Sequence, residues 1–334
     1  MSDMMLTPDF DKVIAIIENA HGRALKAVNT ELINMYRDVG EYLSNLCASS
    51  SFGDKVIDEI AAYIAESSPG IKGFNRRGLY RMKQFYETYK DDKLVSPLVT
   101  QISWTNHLLI MSKSKTPEER RFYMELCIRE HYSKRELERQ LDSSYFERYV
   151  LSSGKQPPEL ITKEVRDSVL DTYVLEFLDL PEHYSERNFR KAIIENLKDF
   201  LLEIGRDFSY IGKEYRLQVG GHDYYVDLLF YCRGLSCLTA FELKISEFKP
   251  EYISKMNLYL EALDREHRKE NEKPSVGIIL CAAKDDEVVE FALSRSLSPT
   301  LVSEYTLHLP DKKLLQKKLR ELAELASESE AMEE

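Results

Sequence analysis

The stretch that decides the fold runs Tyr225-Val226-Asp227-Leu228-Leu229-Phe230-Tyr231 and is followed by Thr239-Ala240-Phe241-Glu242-Leu243-Lys244. Both runs are apolar and typical of buried strands, yet they contain Asp227, Glu242 and Lys244. Burying a charge is costly unless it is paired or binds a metal. Residues two apart on a strand share a face, so Glu242 and Lys244 lie together, and a hairpin would bring Asp227 beside them.

This trio has the residue types of a metal-assisted phosphodiester hydrolase. Two carboxylates on rigid strands suit Mg²⁺, a hard cation that prefers oxygen ligands, with Mn²⁺ as an alternative ion. Asp227 and Glu242 are therefore the predicted metal ligands, and Lys244 would activate a water or stabilise negative charge on a phosphate. The alternative is a salt bridge at a strand end without chemistry. The same acid-x-Lys pattern also occurs, in polar surroundings or at a strand exit, at Asp91–Lys93, Glu247–Lys249 and Asp311–Lys313.

The elements around this hairpin indicate an α/β (α+β) domain with a mixed sheet flanked by helices. The pattern predicts helices over 187–204, 251–263 and 285–293, and strands over 215–219, 224–231, 237–245, 276–281 and 301–307. Glu195 lies beside the apolar face of the first of these helices. It is a fourth candidate for the catalytic cluster, with an ordinary surface glutamate as the alternative.

The N-terminal half has a helical pattern and a different organisation. We predict a helical domain over 1–150, a linker over 151–165 where Gly and Pro interrupt the periodicity, a nuclease-type domain over 166–310, and a C-terminal helix with an acidic tail over 311–334.

Two capped helices in the N-terminal half resemble a helix-turn-helix. Thr116 and the following Pro-Glu-Glu begin one helix, and Ser133 with Glu136 forms a capping box at the start of the next. The second helix carries Lys134 and Arg135, which are predicted to contact nucleic acid, with a helix pair that binds no DNA as the alternative.

A second basic segment lies earlier in this half. Arg76 and Arg77 stand in a cluster that could contact phosphate or could be a solvated face, and the sequence leaves both open. Trp104, the only tryptophan, is predicted to pack in the core.

The composition is that of a globular protein, with 43% hydrophobic and 31% charged residues among 334. A net charge of −11 disfavours nucleic-acid binding without excluding local basic patches. The five cysteines show no paired spacing, and no stretch reads as a signal peptide or a membrane span. We therefore expect a reduced, cytoplasmic protein with no membrane association.

The two strand motifs that contain Asp227, Glu242 and Lys244 resemble the YhcG family of PD-(D/E)XK nucleases. The resemblance extends over roughly residues 10–310. The resemblance rests on many separate motifs in both halves. In the second half they are Val219-Gly220-Gly221, the two strand motifs quoted above, Phe248-Lys249-Pro250-Glu251-Tyr252 and Met256-Asn257; in the first half they are Pro69-Gly70, Gly73-Phe74, Arg76-Arg77, Met82-Lys83-Gln84-Phe85-Tyr86, Ser103-Trp104, His107, Pro117-Glu118-Glu119-Arg120 and Phe122-Tyr123.

The resemblance implies a restriction-endonuclease-like core with a helical N-terminal domain. Asp227 and Glu242 would be metal ligands, Lys244 the catalytic lysine, and Glu195 the acidic residue of the leading helix. Related nucleases carry a Gln-x-x-x-Tyr motif on the helix after the lysine strand. Tyr259 matches its tyrosine, but Lys255 stands where glutamine is expected and would contact phosphate as a point charge.

The function that follows is metal-dependent cleavage of DNA, in repair and recombination or in defence against foreign DNA, with RNA as an alternative substrate. Duplex cutting by such folds often involves a homodimer, and the N-terminal domain would bind DNA or a protein partner. The rival hypotheses are a non-catalytic nucleic-acid-binding protein that keeps the nuclease fold, and a protein-interaction subunit.

Overall fold

The chain forms two compact units, Met1–Leu141 and Asp142–Glu334. The computed structural model describes residues 10–49, 55–92, 96–153, 165, 169–294, 296 and 298–321. The predicted linker at 151–165 lies mostly outside the described residues, as does the acidic tail from 322 onward.

The first unit is helical, as predicted. Its helices are α1 (Phe10–Ser49), α2 (Lys55–Ser67), α3 (Arg76–Tyr89), α4 (Ser96–Val99), α5 (Trp104–Lys113), α6 (Pro117–Glu130) and α7 (Lys134–Asp142). α1 and α3 approach closely at Gly40, where an added Cβ would lie 2.1 Å from the carbonyl oxygen of Met82. A residue without a side chain is therefore required at this crossing.

Aromatic rings join three of these helices. The ring of Trp104 lies 4.4 Å from that of Tyr36 and 5.2 Å from that of Phe85, measured between centroids. The buried ring of His107 lies 5.0 Å from Phe85, and its Nε2 is 2.7 Å from the carbonyl oxygen of Val99. Trp104 was predicted to lie in the core; it is partly buried and packs against the core of this unit.

The starts of α6 and α7 show the predicted caps. Thr116 Oγ1 accepts a hydrogen bond from Glu119 N at 3.2 Å. At α7, Glu136 N donates to Ser133 Oγ at 3.4 Å while Ser133 N donates to Glu136 Oε2 at 2.9 Å, so the capping box is reciprocal. His131, with φ 51°, ends α6 in the left-handed conformation, so a short turn joins the two helices.

The second unit is a mixed six-stranded sheet flanked by helices, which confirms the predicted fold class. Its elements are α8 (Tyr145–Ser153), β1 (Thr172–Val174), α9 (Glu186–Glu195), α10 (Leu197–Ile204), β2 (Phe208–Val219), β3 (His222–Cys232), β4 (Cys237–Leu243), α11 (Glu251–Glu266), β5 (Val276–Cys281), α12 (Asp286–Leu293) and β6 (Thr300–Thr306). The strand order is β1-β6-β5-β4-β3-β2. β2, β3 and β4 pair antiparallel, whereas β4, β5, β6 and β1 pair parallel. Residues 312–321 are helical.

Alternating side chains of the central strands build one core on each face of the sheet. On one face, Phe230 and Phe241 pack with Phe189 and Phe200 of α9 and α10. The other face packs against α11, whose apolar residues include Ile253, Met256 and Leu260. The two positive φ angles at Gly220 and Gly221, 58° and 84°, make the predicted tight turn between β2 and β3.

Several elements differ from the sequence-based expectations. β4 ends at Leu243, so Lys244 lies just beyond the strand that was predicted to contain it. The predicted single helix over 187–204 is interrupted at Asn196, whose φ of −111° and ψ of 31° are not helical. β2 begins at Phe208 rather than Tyr215, because this edge strand is largely solvent-exposed and lacks an apolar run. β1 was not predicted, since three residues leave too short a pattern.

α8 belongs to the second unit, although its sequence falls in the predicted N-terminal domain. The guanidinium of Arg148 is buried and lies 2.6 Å from Glu203 Oε1 on α10. It also donates to the carbonyl oxygen of Thr172 on β1 at 2.9 Å. These contacts tie α8 to the sheet and its helices.

Candidate nuclease active site

The β3–β4 hairpin brings the three predicted charged residues together. Leu228 pairs with Phe241, so the next position on each strand is occupied by Asp227 and Glu242. Asp227 Oδ2 accepts a hydrogen bond from the backbone N of the residue after Glu242, at 2.9 Å. Lys244 Nζ lies 2.8 Å from Glu242 Oε1. The predicted cluster is therefore present as a set of direct contacts.

This cluster is buried, unlike a salt bridge on a surface. The side chain of Glu242 is 2% exposed, and that of Lys244 is 11% exposed. Carboxylates and ammonium groups at such positions lose most of their hydration, so their own pairing or a bound ion must offset the cost.

α11 adds Lys255 and Tyr259 to the cluster, one helical turn apart on the same side of the helix. Lys255 Nζ lies 2.6 Å from Glu242 Oε1 and 5.3 Å from the centre of the Tyr259 ring. The hydroxyl of Tyr259 donates to the carbonyl oxygen of Tyr225 at 2.7 Å, which fixes α11 against β3. Lys255 therefore contacts the carboxylate directly, at the position where the family resemblance expects glutamine.

Both lysines carry their charge at neutral pH. Burial acts to lower the pKa of Lys244, but hydrogen bonding and attraction to Glu242, with a contribution from Glu186, raise that pKa above its ordinary value. Burial likewise opposes the charge of Lys255, and the hydrogen bonds to Glu242 and Tyr259 outweigh it, so its pKa is also raised. Both side chains are therefore suited to donating hydrogen bonds and stabilising negative charge, not to accepting a proton.

Arg190 is a member of the cluster that the sequence analysis missed. Its Nη1 contacts Asp227 Oδ1, and its Nη2 lies 3.1 Å from Glu214 Oε1 on β2. The sequence did contain an indication of this role. Arg190 directly follows Phe189, which is buried on the side of α9 that packs on the sheet.

Glu195 is not brought to the cluster, which corrects the expectation for the leading helix. It is 61% exposed and pairs with Lys191 at 3.5 Å. Glu186 Oε2 instead lies 3.5 Å from Lys244 Nζ. Glu186 is the first and Glu195 the last residue of the 10-residue α9, so their side chains project about 180° apart at 3.6 residues per turn.

The donor set fits a divalent cation at one point. Among the described residues there is no group of three or more His, Cys, Asp or Glu arranged to hold a metal ion. The carboxylate pair of Asp227 and Glu242 remains, and Glu242 Oε2 is buried without a hydrogen-bond partner in the described part of the chain. An unpartnered, buried carboxylate oxygen is the ligand type that Mg²⁺ or Mn²⁺ prefers.

The predicted nucleic-acid contacts of the first unit lie on its surface. Arg76 pairs with Asp58 at 2.5 Å, and its guanidinium lies 5.4 Å from the centre of the Tyr80 ring. The side chains of Arg77, Lys134 and Arg135 are exposed. Lys134 and Arg135 occupy the first turn of α7, the second helix of the predicted helix-turn-helix.

Family models match both units. Residues 166–320 match the YhcG PDDEXK nuclease domain, and residues 12–148 match the DUF1016 N-terminal domain. The chain belongs to the YhcG family of PD-(D/E)XK nucleases. A curated YhcG-family relative from Escherichia coli (strain K12), named "Putative nuclease YhcG", is 27% identical over 344 residues and aligns with 91% of each chain.

Two solved structures resemble part of this YhcG-family chain. One is a repair endonuclease from Pyrococcus abyssi, with 17% identity, a TM-score of 0.27, and coverage of 39% of this chain and 50% of that one. The other is an EndoMS–dsDNA complex, with 18% identity, a TM-score of 0.28, and coverage of 40% and 48%. The matched region spans about half the length of these proteins.

In the described part of this YhcG-family chain, no helix combines the length and the apolar character that crossing a bilayer requires.

Proposed function

We propose that this YhcG-family protein hydrolyses DNA phosphodiester bonds with a divalent metal ion, Mg²⁺ or Mn²⁺, held by Asp227 and Glu242. The observation that carries this proposal is the buried contact of Glu242 with Lys244, next to Asp227, on adjacent strands. Membership of a nuclease family supports the same reaction.

The side chains of the cluster have separable roles. Asp227 is held by Arg190 and by a backbone N–H, so its carboxylate is oriented before any ligand arrives. When bound, the metal ion would polarise the phosphate and lower the pKa of a water. Lys244, kept charged by Glu242 and Glu186, would stabilise the negative charge that develops on the phosphate.

Binding of DNA is supported by exposed basic side chains. In the first unit, Arg76, Arg77, Lys134 and Arg135 would contact phosphates, and in the second unit Lys255 would border the scissile phosphate. The predicted contact of Tyr259 with nucleic acid is wrong, because Tyr259 is 1% exposed and its hydroxyl donates to the carbonyl oxygen of Tyr225. RNA as substrate, a homodimer, a protein partner of the first unit, a cytoplasmic location, and a role in repair or defence stay predictions.

The test is a cleavage assay on labelled linear duplex, single-stranded and branched DNA, with Mg²⁺ or Mn²⁺ and with chelator. Wild type is compared with Asp227→Ala and Lys244→Ala. Matched controls are Asp223→Ala, which lies on the same strand as Asp227 and pairs with Arg216 at the surface, and Lys249→Ala, an exposed lysine.

We expect metal-dependent cleavage that falls by about 10²-fold or more in both cluster variants and stays near wild type in both controls. Cleavage that survives Asp227→Ala and Lys244→Ala would refute this site. DNA binding without any cleavage would favour the non-catalytic nucleic-acid-binding protein, a reading consistent with the ion pairs already made by both carboxylates.

A further inference from the structure

The four carboxylate oxygens of the cluster differ in what they contact. Asp227 Oδ1 pairs with Arg190, and Asp227 Oδ2 accepts the backbone N–H of Leu243 at 2.9 Å. Glu242 Oε1 lies 2.6 Å and 2.8 Å from two ammonium nitrogens. Among the described residues, Glu242 Oε2 is the cluster's carboxylate oxygen that is buried without a hydrogen-bond partner. In the described part of the chain, this one buried oxygen therefore has no hydrogen bond that a metal ion would have to replace.

The two ammonium groups on Glu242 Oε1 come from different elements. Lys244 follows β4 and is 11% exposed, whereas Lys255 projects from α11 and is 46% exposed. The ammonium group of Lys255 lies 5.3 Å from the centre of the Tyr259 ring, which is itself anchored to β3. A divalent ion on this oxygen would have to displace one of these ammonium groups or lie beside both, and charges of the same sign at such separations repel strongly.

We propose that Lys255 takes the place of a second metal ion at Glu242 Oε1 and so limits the site to one divalent cation, bound on the Oε2 side. The inference rests on the proposed function only in taking Asp227 and Glu242 as metal ligands. A glutamine at position 255 would present a neutral amide to the same oxygen and would not exclude a cation by charge. Lys255 is thus the residue that sets how many ions this site holds and how tightly.

The experiment is a titration of the full-length protein with Mn²⁺ alone, in which free ion is measured by electron paramagnetic resonance and heat by calorimetry. Wild type is compared with Lys255→Gln, with the charge-conserving Lys255→Arg, and with Lys249→Gln as a control for the loss of one positive charge on a nearby exposed side chain. Far-UV circular dichroism checks folding, and Lys255→Met replaces Lys255→Gln if the amide variant does not fold.

We expect wild type to saturate at about one Mn²⁺ per chain. Lys255→Gln should bind that ion about tenfold more tightly and take up a second ion at Glu242 Oε1, because one like charge is gone. Lys255→Arg should retain wild-type affinity, and Lys249→Gln should change it by less than about twofold. A merely structural role of Lys255 would weaken or leave unchanged the affinity of the glutamine variant.

Three results would overturn the inference: two ions per wild-type chain, no ion in wild type, or equal affinities in the glutamine and arginine variants. The cleavage assay separates this from the proposed function. Cleavage by a wild-type protein with two bound ions per chain would contradict this inference but not the proposed nuclease function. The expected Mn²⁺ pattern without cleavage would leave the inference standing and remove the nuclease proposal.

Discussion

Replacing Arg148 by methionine removes a cation that lies against the buried carboxylate of Glu203. The two side chains are 3% and 0% exposed, and their closest atoms are 2.6 Å apart. The guanidinium also donates to Ser143 O at 2.9 Å, to Ser143 Oγ at 3.0 Å and to Thr172 O at 2.9 Å. Its loss therefore affects α8, β1 and α10 together.

The loss of stability on replacing Arg148 can be estimated from the contacts that Glu203 keeps. Without Arg148, Glu203 Oε1 keeps the backbone N–H of Val174 at 2.7 Å but loses a buried cation that lies 2.6 Å away. Removing one member of a buried pair costs about 3–5 kcal/mol. Methionine fills much of the volume, so a cavity contributes little to this figure.

Urea denaturation monitored by far-UV circular dichroism measures this loss. We expect Arg148→Met to lower the free energy of unfolding by about 3–5 kcal/mol. Arg148→Met combined with Glu203→Gln should lower it by clearly less, because the buried negative charge that Arg148 contacted is then removed as well. A loss below about 1 kcal/mol for Arg148→Met, the value of a surface pair, would refute the assignment of α8 to the nuclease unit through this contact.

Three further outcomes are expected. Glu186→Ala should lower the cleavage rate by about two- to fivefold, the range for a half-exposed ion pair such as Glu186–Lys244. Glu195→Ala should leave the rate unchanged. Equal effects of the two substitutions in single-turnover assays would contradict the orientation of α9 that places Glu186 beside Lys244. Burial lowers the pKa of His107 from 6.5 to about 4, so the unfolded state binds the proton more readily than the folded state. The free energy of unfolding should therefore fall by about 3 kcal/mol as the pH drops from 6.5 to 4. Urea midpoints at several pH values should show this slope in wild type and a weaker one in His107→Gln. Gly40→Ala should destabilise the first unit by about 1–3 kcal/mol, because its Cβ would overlap the carbonyl of Met82; an unchanged thermal midpoint would show that α1 and α3 can separate without cost.

The central part of the site could be predicted from the sequence because strand geometry is simple. Two apolar runs with embedded charges and a period of two place Glu242 and Lys244 on one face, and a hairpin places Asp227 opposite. The mixed sheet follows from the order of helices and strands. The structure has the mixed sheet and brings the three residues together, although β4 ends at Leu243 and Lys244 lies just beyond it.

The outer part of the site could not be predicted, because it depends on how helices meet the sheet. Glu186 and Glu195 are equivalent in type, and only the orientation of α9 decides that Glu186 meets Lys244. The break at Asn196 is equally hidden, since the apolar spacing continues on both sides of it. The pairing of Lys255 with Glu242 needs the distance between α11 and β4, which no local pattern encodes.

The position of Trp104 gives this chain a built-in optical reporter. It is the only tryptophan of the protein, and it lies in the aromatic packing of the first unit with Tyr36 and Phe85. Emission excited selectively at tryptophan therefore follows the unfolding of the helical unit, while the 20 tyrosines respond throughout the chain. Recording both signals in one denaturation experiment would show whether the family's two parts melt together or independently, without any label or truncation.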